Sequence, residues 1–126
     1  MRALQRRLAE HGVSFGHWTF LRILWERDGL TQRELSDDAG VMQPTTGAAI
    51  REMEKLGYVT RTQTSDNRKN VYVHLTPKGR ALRAKLVPLA EEVNEIGLRG
   101  VSAQDRAAAQ RTLLAVIDNL SRSSRP

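Results

Sequence analysis

The sequence predicts a mainly helical, α+β fold: one domain over residues 1–126, with helices before and after a small β-hairpin. Three observations predict it. Apolar residues recur at three- and four-residue steps through most of the chain, the period of a helix with one buried side. Only around 58–61 (Tyr-Val-Thr-Arg) and 71–75 (Val-Tyr-Val-His-Leu) do β-branched and aromatic residues cluster, on either side of a polar segment, as the two arms of a hairpin do. A chain of 126 residues with 40% hydrophobic content is long enough for one core.

Residues 31–80 organise the rest. Thr31 caps a helix over 32–39, Glu34 completes a Thr-x-x-Glu capping box, and Leu35 and Ala39 face inward. Gly40 and Val41 make a turn. A second helix starts at Gln43, Pro44 and Thr45, where a proline in the first turn loses no hydrogen bond, and Gly57 closes it. Its stripe of Thr46, Ala49, Ile50, Met53 and Leu56 is predicted to be buried, with Pro44, Gly47, Ala48, Arg51 and Lys55 outward. Small residues near the start and a basic one a turn later suit a helix that lies close to base edges in a major groove. The plainer reading of the same face is a solvated surface.

Next comes the hairpin, whose tip carries Asp66, Asn67, Arg68 and Lys69. A guanidinium at Arg68 suits the negative potential of a minor groove, Asp66 can hold it in orientation, and Lys69 can neutralise phosphate. Gln32 and Arg33, at the exposed start of the first helix, and Lys55 are further phosphate contacts on this reading. Helix, helix and hairpin in this order make a winged helix-turn-helix.

The pattern Asp66-x-Arg68, followed by a strand and by Leu75-Thr76-x-x-Gly79, resembles the MarR family of transcriptional regulators, and the likeness runs over nearly the whole chain. In that family the Asp-x-Arg pattern marks the minor-groove arginine. The resemblance implies a homodimeric regulator, a repressor, binding double-stranded DNA at a pseudo-palindromic operator. It also implies an effector pocket between a dimerisation lobe and the DNA-binding lobe, near His11, His17, Trp18 and Arg22. There a small aromatic acid or phenol could stack on Trp18, pair with Arg22 and bond His17. The competing reading has Trp18 as plain core, Arg22 as a solvated side chain and His17 as a capping variant.

Outside 31–80 the sequence is helical. Residues 1–10 set Leu4 and Leu8 against Arg2, Arg6 and Arg7; Ser14 caps a helix carrying Phe15, Trp18, Leu21, Leu24 and Trp25, which Asp28 and Gly29 break. Leu82, Leu86, Leu89, Val93 and Ile96 form a heptad-like seam that calls for a partner, in a helix that Pro88 should bend. Ser102 caps a last helix striped with Ala107, Leu113, Leu114, Ile117 and Leu120. Residues 1–30 and 81–126 thus read as a helical dimerisation lobe around the DNA-binding lobe, with a fraying polar tail.

Composition narrows the function. Twenty basic against fourteen acidic residues give a formal charge of +6, which favours a polyanionic partner. The excess is spread evenly, +2 in each of 1–30, 31–80 and 81–126, so a DNA-binding face has to be assembled by folding. The absence of cysteine excludes thiol-based sensing and disulfides. No nucleophile elbow, phosphate loop or productive carboxylate pair points to an enzyme, and no cofactor is expected. His11, His17 and His74 lack metal-ligand spacing. With no membrane-spanning apolar run and a charged N-terminus, the expected location is the cytoplasm. A winged-helix module that docks protein instead of DNA is the alternative, and Arg51 and Arg68 on one face argue against it.

Overall fold

The structure, a computed structural model, describes residues 2–64 and 67–123, with only the backbone of Thr64 and of 67–69. In chain order these form α1 (Arg2–Ala9), α2 (Phe15–Glu26), β1 (Leu30–Thr31), α3 (Gln32–Ala39), α4 (Gln43–Lys55), β2 (Val59–Thr64), β3 (Asn67–Leu75), α5 (Pro77–Gly97) and α6 (Ala103–Ser123). The mainly helical architecture is the expected one.

The sheet is larger than the hairpin alone. It is antiparallel with three strands in the order β1-β3-β2. Leu30 and Thr31 pair with Val73 and Tyr72, a short edge strand that a two-residue run without alternation could not announce. The hairpin arms also run further into the polar segment than the apolar pattern did, from Val59 opposite Leu75 to Thr64 opposite Asn67, with an irregularity between Thr62 and Thr64.

Two compact units divide the chain at 91/92, inside α5. In the first, Leu8 of α1, Leu21 and Leu24 of α2, Leu35, Ile50, Met53, Val73 and Leu86 are all fully buried and make one core. Leu86, expected on a seam facing a second chain, is therefore taken by the chain's own core, as is Leu82. Further along α5, Leu89 and Val93 are half-buried and Ile96 is exposed. In the second unit α6 buries none of its residues.

The Leu75-Thr76-x-x-Gly79 run turns out to be a joint. Thr76 Oγ1 donates to the Gly57 carbonyl (2.5 Å), just past the end of α4, and accepts from the Gly79 amide (3.0 Å) in the first turn of α5. Gly79 has its own reason to be glycine: a Cβ there would stand 2.1 Å from the Tyr58 carbonyl oxygen. Its own carbonyl accepts from Trp25 Nε1 at 3.0 Å, so α2, the α4 exit and α5 meet at one residue.

Candidate nucleic-acid interface

The helix pair is locked from its first residue. Thr31 Oγ1 accepts from the Glu34 amide (3.1 Å) while Glu34 Oε1 accepts from the Thr31 amide (3.1 Å) and hydroxyl (3.0 Å), a complete capping box. The backbone and side-chain hydrogen bonds from Thr31, with a smaller contribution from nearby Arg27, hold the Glu34 carboxyl below its ordinary value. Inside the pair, the Ser36 hydroxyl lies 2.9 Å from the Gln32 carbonyl and 2.7 Å from Thr46 Oγ1, with Ser36 and Thr46 both buried. That polar link fixes α3 against α4, and Ser36, a small polar residue, carried no signal of it in the sequence.

On α4 the structure exposes Gln43, Pro44, Thr45, Ala48, Arg51 and Lys55, the outward face read from the sequence. Gly47 is the exception: it is buried, and a Cβ built on it would lie 3.7 Å from both Arg51 Nη1 and Gln32 Nε2. The residue is a notch that the Arg51 and Gln32 side chains cover, so its place is under the outward face and not on it. Ala49 is only half-buried, and Leu56, at the C-cap where the stripe runs off the helix end, is exposed. Of the proposed phosphate contacts, Arg33 and Lys55 are exposed and Gln32 is half-buried, its Oε1 buried without a partner.

The wing is tied to α4 by Arg61 on β2, whose Nη2 lies 3.1 Å from Glu54 Oε1. Arg68 and Lys69 occupy the start of β3, and Asp66 lies outside the described residues.

The four effector candidates do not converge. His11 is exposed. His17 is buried and its Nε2 sits 3.0 Å from Glu52 Oε2, which joins α2 to the middle of α4, while its Nδ1 has no partner. Its amide donates to Ser14 Oγ at 3.1 Å, as a residue in that place of a capped helix does. Trp18 is buried, edge-on to Trp25 with ring centroids 5.7 Å apart, and the exposed Arg22 guanidinium covers its ring at 5.7 Å. The structure thus brings Trp18 and Arg22 together and turns His17 away to Glu52. A separate cleft is lined by Leu24, Trp25, Asp28, Leu75, Arg80 and Arg83. Among the described residues there is no group of three or more metal-ligating side chains, and no helix is long and apolar enough to cross a membrane.

Comparison with known proteins points one way. Residues 13–71, from the approach to α2 into β3, match the model of the MarR family. The HTH-type transcriptional regulator TtmR of Methylorubrum extorquens is 29% identical over 123 residues, covering 94% of this chain, which spans only 60% of that protein's length. A MarR transcriptional regulator from Methanosarcina mazei superposes with a TM-score of 0.89 at 27% identity, over 96% of this chain and 87% of that one. A MarR-family regulator from Listeria monocytogenes, crystallised with a 26mer DNA, gives 0.84 at 25% identity over 97% and 84%. By the match over residues 13–71, the likeness to curated regulators and the superposition on solved ones, the chain is similar to the MarR family of winged helix-turn-helix transcriptional regulators.

Proposed function

We propose that this chain is a sequence-specific double-stranded DNA-binding regulator that acts as a homodimer, represses transcription, and places α4 of each protomer in successive major grooves of a pseudo-palindromic operator. The observation that carries the reading is the exposed face of α4. Pro44 and Ala48 let its first half approach bases closely, and Arg51 follows, able to bond a guanine edge bidentately. The Listeria relative's crystallisation with DNA supports it. For the wing, the same reading gives Arg68 the minor groove with Asp66 orienting it, and Lys69, Arg33 and Lys55 the phosphates. Dimerisation is supported by the uncovered apolar side of α6, and it would set the two reading helices about 34 Å apart. Repression is supported by the likeness to the homoprotocatechuate degradative operon repressor of Escherichia coli, 25% identical over 108 residues. We also infer release by a small aromatic acid or phenol, with Arg22 over Trp18 as the anchoring pair.

Fluorescence anisotropy with a duplex that the chain itself selects from a random library tests the central reading. Arg51→Ala should weaken binding by about 1–3 kcal/mol and relax choice at one position of each half-site. Unchanged affinity and preference would take the reading role from Arg51. For the effector, calorimetric titration with benzoates and hydroxybenzoates should give heat that Arg22→Ala removes; no heat from any of them would sink it.

A further inference from the structure

Met42 is the most exposed large apolar side chain among the described residues, at 76%, and it stands at the N-cap of α4. Both facts speak against a structural role. N-cap positions favour Ser, Thr, Asp or Asn, whose side chains accept a backbone N–H, and Met42 makes no such bond. Nor is the side chain part of the core. Its backbone, in contrast, is well held: extended at φ −74 and ψ 147, with its carbonyl accepting from the amides of Thr45 (3.1 Å) and Thr46 (3.3 Å). The chain therefore presents an apolar, flexible thioether from a fixed point at the leading end of the reading helix, next to the exposed Gln43, Pro44 and Thr45.

On the reading of α4 as a major-groove helix, on which this inference rests, one feature of the base edges there matches an apolar side chain. It is the C5-methyl group of thymine, the one methyl group that the four standard bases present there. We propose that Met42 is a specificity-determining residue that packs against a thymine methyl in each half-site. The contact explains why a large apolar group stands exposed where a polar cap is usual, since the cost of that exposure is relieved when the groove closes over the side chain. A polarizable, unbranched side chain also adapts to the methyl's position without demanding a single rotamer.

The test replaces thymines of the selected duplex one at a time by deoxyuridine, which removes the methyl and leaves base pairing intact. With the full chain, one position per half-site should lose about four-fold in affinity, the ratio that burying one methyl group corresponds to. In Met42→Ala that penalty should disappear at that position alone, and in Met42→Leu it should persist. Thermal melting should show both variants folded, the site being exposed. If no position shows a methyl penalty that Met42→Ala abolishes, or if the selected half-site has no thymine, the inference is overturned while DNA recognition by α4 stands. If the chain enriches no sequence at all, the DNA-binding reading fails and this inference falls with it.

Discussion

Two stretches of the chain carry the same helical apolar rhythm and meet opposite fates. In the first unit Leu21, Leu24, Leu35, Ile50 and Met53 are fully buried, each covered by another element of the same chain. Along α6, Leu113, Leu114, Ile117 and Leu120 recur at comparable steps and are 57–63% exposed. Periodicity tells which side of a helix is apolar and is silent about what covers it. The first unit encloses its own core, and the α6 stripe is an apolar face left largely exposed among the described residues.

The sharpest way to break this contrast is to charge the uncovered face. On the proposed function, Leu113→Asp with Ile117→Asp should convert a dimer to a monomer at micromolar concentration and abolish operator binding, while leaving the exposed face of α4 chemically intact. Sedimentation that finds wild type and variant alike in mass would remove α6 from the interface. A smaller effect is expected inside the first unit, where Gly79→Ala would press a Cβ into the Tyr58 carbonyl. Overpacking against backbone should cost at least about 3 kcal/mol, read as a lowered midpoint in urea that hardly depends on protein concentration. A midpoint within error of wild type would show that the α4 exit and α5 can separate freely.

The smallest effect concerns acid. Because hydrogen bonds from Thr31 hold the Glu34 carboxyl below its ordinary 4.5, ionised Glu34 favours the folded chain. That contribution is fully present above the ordinary value and is lost as the pH falls through the lowered one. Between about pH 6 and about pH 3, Glu34→Gln should show a shallower loss of melting temperature than wild type, since it has no proton to take up. Parallel curves would mean that the capping box does not couple to acid stability. The α6 variant should keep the wild-type slope, as Glu34 belongs to the other unit.

How far the sequence could be read depended on the kind of signal. Capping chemistry was legible at the level of single atoms, as Thr31, Glu34 and Ser14 show, because caps are local and need particular side chains. The outward face of α4 was legible by period, apart from Gly47, since a residue without a side chain cannot reveal whether its neighbours lean over it. The strand β1 was missed for lack of length, and the Ser36 to Thr46 link for lack of any pattern. The worth of Leu86 was misplaced because a heptad seam reads the same whether its first residues meet their own core or a second chain. The candidate effector residues were placed by the pocket that the family resemblance implies, whereas the pairing of His17 with Glu52 depends on a contact 35 positions apart that no local pattern announces.

One consequence belongs to the hydroxyl of Thr76. The Gly57 carbonyl, just past the end of α4, and the Gly79 amide in the first turn of α5 converge on it, so one oxygen links the exit of one helix to the start of the other. If a ligand of α4 is coupled to a rotation of α5 through this joint, the coupling free energy is the same in both directions. Removing the hydroxyl, as in Thr76→Val, would take away both of these bonds and leave the Lys78 Nζ to Leu56 carbonyl bond (3.0 Å) and the seat of Gly79 on Tyr58 to hold the two helices together.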